Sequence, residues 1–175
     1  EPRPDLLPNM EAELERIVEL LSEKKWPFRL HATYDESIER FLNVFERVNA
    51  KQPFQTRFII DHAETISERN IERIGAMGGG IAIQHRMAFQ GEFFIQRYGK
   101  EAAANTPPIK RMLELGVPVG AGTDATRVAS YNPWVCLYWL TTGKTLGGVS
   151  LYDERNLIDR ETALALWSKG SAWFS

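Results

Sequence analysis

Three residues have the types and spacing that divalent-metal chemistry needs: His31, His62 and Asp124. Imidazole nitrogen and carboxylate oxygen are donors that zinc and similar ions accept. Each of the three closes a short apolar run: Phe28-Arg29-Leu30-His31, Phe58-Ile59-Ile60-Asp61-His62, and Val117 through Asp124. Such runs are too short for helices and rich in β-branched or small residues, so they are expected to be buried strands. His31 and His62 lie 31 residues apart, the length of one βα unit, and His62 and Asp124 lie 62 apart, twice that. Equal phase would set all three on one rim of a parallel sheet, where α/β proteins gather functional side chains. Burying an unpaired carboxylate is costly, so Asp124 is expected to be paired, hydrogen-bonded or bound to a cation. The plainer alternative makes each histidine a packed core or capping residue and Asp124 a helix cap. Two of only three histidines falling at strand ends weighs against it. The expected cofactor is a divalent metal, zinc ahead of manganese or iron, with a coordination position left for water.

His85, the third histidine, follows a further apolar run, Ile81 to Gln84. His85 and Gln84 are candidates for substrate contact. Arg86 could hold an anionic group by a bidentate contact, although a solvated surface charge is the plainer reading. Asp35 is expected to support the helix start after the first strand, with orientation of His31 as its alternative role. Glu64 is expected to be solvated, and Trp134, Tyr138 and Trp139 to form a core cluster.

The elements that must position these residues alternate. Met10, Leu14, Ile17, Val18 and Leu21 recur at helical spacing, and Trp26-Pro27 ends that helix before the first strand. Thr33 to Glu36 and Thr65 to Glu68 match the Thr-x-x-Glu capping box. Ile38, Phe41, Leu42, Phe45 and Val48 mark a second helix, and Ile71, Ile74 and Met77 a third. Met87 to Asn105 shows no clear period and is expected to be a long, functional loop. Thr106-Pro107 and Asn132-Pro133 are expected to open helices, Gly116 to stop one, and Asp159 to cap the last. The predicted order is α-β-α-β-α-β-α-β-α-α. Strands joined by helical crossovers are parallel, so the fold class is α/β with about four parallel strands: half of an eight-stranded barrel, or a small open sheet.

Composition excludes several classes. The 175 residues are 43% apolar and 25% charged, ordinary for a globular domain with a core of its own. With 21 basic against 23 acidic residues the net charge is −2, so no nucleic-acid-tracking face is implied. The single cysteine, Cys136, rules out an intrachain disulfide and a multi-cysteine metal cage, and it is expected to be a buried filler. No run approaches the roughly 20 apolar residues that span a bilayer. The cytoplasm is the favoured compartment. Gly78-Gly79-Gly80 lacks the spacing of a phosphate loop, Gly120-Ala121-Gly122 lies within a strand rather than between strand and helix, and no Gly-x-Ser-x-Gly elbow occurs.

In order, these motifs resemble the amidohydrolase superfamily, nearest to its N-substituted formamide deformylase-like branch. His31-Ala-Thr-Tyr-Asp35 is similar to that branch's fifth-strand His-Ala-x-Gly-Asp, with Tyr34 in place of Gly. Ile60-Asp61-His62-Ala63 resembles the sixth-strand Ile-Glu-His-Ala, Ile83-Gln84-His85 the seventh-strand Gln-Pro segment, and Gly122-Thr123-Asp124 the eighth-strand Gly-Ser-Asp. Glu161 to Leu164 and Gly170-Ser171-Ala172 resemble the segments that follow the barrel. The resemblance implies strands five to eight of a TIM (β/α)8 barrel. Residues 1–175 would form a single domain, the C-terminal half of that barrel, without the N-terminal half, its His-x-His pair and the flanking β-sandwich. It implies a metal-dependent hydrolase of non-peptide carbon–nitrogen bonds, such as amides and cyclic amides. His31, His62 and Asp124 would be ligands, Asp124 also the general base, and Gln84 or His85 would contact substrate. The expected partners are a small-molecule substrate, the N-terminal half of the same protein, and further copies through open strand edges, with no nucleic acid and no membrane. The isolated chain is expected to bind metal weakly and to be inactive. The alternatives are a metal-free half-barrel scaffold and a metal-dependent esterase or phosphoesterase.

Overall fold

The structure, a computed structural model, describes residues 9–126 and 129–175. The Pro-rich lead-in of residues 1–8 lies outside them. Four strands, β1 (Phe28–Ala32), β2 (Phe58–His62), β3 (Gly80–Gln84) and β4 (Val119–Gly122), form one parallel sheet in the order β1-β2-β3-β4. Strand order follows chain order and every crossover is helical. That is the winding of a (β/α)8 barrel; a doubly wound sheet reverses direction at a switch point. The chain therefore forms a four-stranded part of such a barrel.

Helices α1 (Met10–Glu23), α2 (Asp35–Lys51) and α3 (Glu68–Ala76) accompany the first three strands. Leu14, Val18 and Leu21 turn α1 inward, while Ile17 stays exposed, so the buried stripe is narrower than the apolar pattern. Ion pairs tie α1 to α2: Glu11 with Arg40, and Glu15 with Arg47 and Lys51. Ile38, Leu42, Phe45 and Val48 of α2 are buried as their spacing predicts.

Register sorts the strands into two faces. Phe28 pairs with Phe58, Ile60 with Ile81 and Ile83 with Ala121, and this face packs against the helices. Phe28, Phe45, Phe54 and Phe58 interlock there, the Phe45 and Phe58 rings edge to face at 5.0 Å. Burying one such side chain contributes about 1.5–3 kcal/mol. The opposite face alternates Arg29, Asp61, Ala82, Gln84, Gly120 and Gly122. Its small residues admit aromatic rings from the chain's last turn. A Cβ on Gly120 would lie 2.3 Å from Phe174, and one on Gly80 2.6 Å from Trp173.

Several local expectations are corrected. The stretch from Met87 to Asn105 is not a loop but holds α4 (Arg86–Tyr98) and α5 (Lys100–Ala104). Gly91 breaks its apolar pattern because Leu151 packs directly on it, 2.6 Å from where a Cβ would stand. Helix α6 (Ile109–Glu114) starts two residues after the expected Thr106-Pro107 opening, and the Thr106 hydroxyl donates to Ala102 O instead of capping. Neither Thr-x-x-Glu pattern forms a capping box. The α2 cap, Tyr34, gives no side-chain capping bond, and α3 is capped by Ser67, which accepts from Asn70 N. Asn132 and Asp159 do cap α7 (Pro133–Thr142) and α8 (Arg160–Ala165), and a π-helical turn (Leu166–Gly170) continues α8. Trp139 is core, but Trp134 and Tyr138 are exposed. Cys136 is buried, and burial pushes its thiol pKa up to about 12.

Candidate metal and active site

The C-terminal ends of the strands bring His31, His62 and Gln84 to one rim, and Asp124 follows β4 by two residues. The rings of His31 and His62 stand edge to face with centroids 4.5 Å apart. The ladder holds them close: Ala32 pairs with His62, and beyond the strands Ala63 N donates to Ala32 O and Thr65 N to Thr33 O.

The backbone is strained where these residues sit. His62, Ala63 and Asp124 have φ of 79°, 48° and 52°, in the left-handed region that side chains with a Cβ seldom occupy. Strain of this kind gathers at binding and catalytic sites because the surrounding structure enforces it.

His62 Nδ1 is buried and has no hydrogen-bond partner among the described residues. Burial lowers the His62 pKa, and the neighbouring His31 lowers it further; Asp124, Asp61 and Glu64 pull the other way. The ring is thus held in its neutral form, the form that ligates metals. His62, Gln84 and Asp124 line one cavity of about 270 Å³ together with Arg29, Asp61 and Phe174. An orphaned imidazole nitrogen beside a second imidazole and a carboxylate suits a divalent cation in donor chemistry. Among the described residues, however, no three His, Cys, Asp or Glu side chains close into a complete ligand set. His31 and His62 are brought together, and His62 and Asp124 share the cavity.

His85 and Arg86 do not line this cavity. His85 is fully buried beside Phe89, its ring close to the backbone of Gly122 and Ser130. Burial lowers its pKa, with the backbone of Gly122 and Ser130 opposing. Arg86 is not a solvated surface charge: its Nε donates to Glu64 Oε1 at 2.9 Å and its Nη2 to Glu64 Oε2. Glu64, expected to be solvated, is 1% exposed and also accepts from Gln84 Nε2 at 3.0 Å. The carboxylate left water because two donors from the end of β3 replaced its hydration.

Arg29 and Asp61 are cavity residues that the motif reading did not single out. They form an ion pair at 2.7 Å on the face shared with His31. The signal was present in the alternation: Arg29 lies two residues before His31 and hence on its face.

Residues 5–175 match the model of the Amidohydrolase family, so the chain belongs to that family. Among solved structures it is similar to an uncharacterized metal-dependent hydrolase from Pyrococcus furiosus, with TM-score 0.75 and 23% identity over 94% of this chain and 32% of that one. A second uncharacterized metal-dependent hydrolase, from Pyrococcus horikoshii OT3, gives TM-score 0.76 and 23% identity with the same coverage. A prolidase complexed with N-methylphosphonate-L-proline is more distant, at TM-score 0.52 and 16% identity over 94% of this chain and 36% of that one. The chain spans about a third of the length of these structures. No curated protein matches it. Among the described residues, no helix is long and apolar enough to cross a membrane.

Proposed function

We propose that the chain is the C-terminal half of the barrel of a metal-dependent hydrolase, with its strands as the fifth to eighth of eight, and that the enzyme cleaves carbon–nitrogen bonds in amides or cyclic amides. The observation that carries this reading is the pairing of His31 with His62, whose buried Nδ1 has no hydrogen-bond partner among the described residues, at a strained strand end. His31, His62 and Asp124 would hold the divalent ion, zinc before manganese or iron, with further ligands supplied from outside the described residues. The ion's contribution when bound is to polarise a carbonyl and to activate water near neutral pH. The chain's own residues do the rest. Asp124, exposed on the cavity wall, accepts the proton as general base. Gln84 presents its amide to substrate, held in place because Nε2 donates to Glu64 and Oε1 accepts from Arg86 N. His85 and Arg86 support that wall from behind, and Arg29 and Asp61 neutralise each other below it. The partner is the N-terminal half of the same protein, which would close the barrel.

A metal-free half-barrel scaffold is the second reading, favoured by the lack of a closed three-donor set among the described residues. Elemental analysis separates the two. After dialysis against zinc, the chain together with its N-terminal half should retain stoichiometric metal and lose it in His62→Ala, whereas no retained metal in either sample supports the scaffold. A panel of amide, ester and phosphoester substrates then fixes the bond.

A further inference from the structure

Asp35 begins α2, four residues after His31, yet its bonds run to the next βα unit. Its carboxylate Oδ1 accepts from Ser67 N at 2.7 Å and from Asn70 Nδ2 at 2.8 Å. Its own amide donates to Thr65 Oγ1 at 3.1 Å. Ser67 caps α3 and Asn70 lies in its first turn, 1% exposed. One side chain therefore joins the N-termini of two helices, where a negative charge is favoured from both. The segments it joins, 32–35 and 63–67, are those that leave His31 and His62. Beyond the strand ends, backbone bonds from Ala63 N to Ala32 O and from Thr65 N to Thr33 O also tie these segments.

We infer that Asp35 is a positioning residue: it latches the loop after β1 to the loop after β2 and so sets the separation of the His31 and His62 rings. It acts through the backbone it fixes. The left-handed conformations of His62 and Ala63 fit this role, since a strained turn needs an external hold.

The inference rests on the His31–His62 pair being a metal site, and the test keeps the two separable. Asp35→Ala, Asp35→Asn and wild type are compared, each together with the N-terminal half of the protein and each checked for folding by circular dichroism. The first measurement is the nuclear Overhauser contact between the two imidazole rings, which needs no metal. The second is Co²⁺ affinity, with its visible spectrum. Asp35→Ala should lose the ring contact and bind Co²⁺ about tenfold more weakly. Asp35→Asn keeps an acceptor oxygen and should retain the contact, a rescue that loss of general stability would not give. A folded Asp35→Ala with the wild-type ring contact and Co²⁺ affinity within twofold of wild type overturns the latch. If wild type binds no Co²⁺, the metal reading falls while the ring contact still decides the latch. Should Asp35→Ala fail to fold, Thr65→Val, which removes only the acceptor for the Asp35 amide, decides instead: a weakened ring contact supports the latch, and an unchanged one overturns it.

Discussion

Glu64 and Arg86, 22 residues apart in sequence, join the ends of β2 and β3 through a two-point contact, Nε to Oε1 and Nη2 to Oε2. The Glu64 side chain is 2% exposed and that of Arg86 29%, so the carboxylate is the fully desolvated partner. Gln84 adds a third donor to it. Removing one member of a buried pair leaves the other uncompensated, which costs about 3–5 kcal/mol; the partly exposed Arg86 places this case near the lower end.

Glu64→Ala should therefore lower the unfolding free energy by about 3 kcal/mol, read from urea denaturation. The double variant Glu64→Leu, Arg86→Met should recover most of that loss, because two apolar groups of similar volume leave no orphaned charge. Equal destabilisation by the single and double variants would show that the charges contribute little.

The strands and long helices were legible because burial enforces their periods. Phe58 to His62 and the Ile38–Val48 stripe needed no partner to be read. The histidines at strand ends were legible for the same reason, since the apolar runs dictate where the strands stop. Glu64 was not, because its environment is made by Gln84 and Arg86 on another strand, and a single carboxylate in a turn looks the same solvated or buried. The helices in 86–104 were hidden by Gly91 and by aromatic residues such as Phe93, which is exposed, and Phe94, which is only partly buried, so no stripe emerged. Ser171 and Phe174 reach the cavity from the end of the chain, a placement that only packing determines.

Gly79 precedes β3 and lies against the Phe58 ring, with Phe58 Cζ 2.3 Å from where a Cβ would stand. Phe58 is fully buried among Phe28, Phe45 and Phe54, so it has little freedom to move aside. Gly79→Ala should destabilise by about 1–3 kcal/mol, the usual result of overpacking. A melting temperature within a degree of wild type would contradict this packing.

Gly120 offers a coupled test of the sheet's second face. A Cβ there would meet Phe174 Cε2 at 2.3 Å and Ser171 Cα at 3.1 Å. Gly120→Ala should be destabilising with Phe174 present and markedly less so in Phe174→Ala, giving a coupling energy of about 1 kcal/mol in a double-mutant cycle. Additive effects would mean that the Phe174 ring does not rest on β4.

His85 gives the protein a defined pH response. Its pKa is lowered, chiefly by burial, so the folded state resists protonating it. The unfolded chain takes up that proton near pH 6.5. Above about pH 7 both states hold a neutral ring and His85 adds no pH dependence; as the pH falls through about 6.5 the unfolded state gains protons first and stability declines. His62 is lowered by burial and by His31 and contributes with the same sign. Carboxylates held low by their partners, such as Glu46 beside Arg73 and Asp159 at the α8 cap, act in a separate window below about pH 4.5. Between pH 7 and 5 the melting temperature should therefore fall, and His85→Leu should flatten that slope in part, leaving the His62 share. An identical slope in His85→Leu would show that the buried imidazole takes up its proton as readily in the folded state as in the unfolded one.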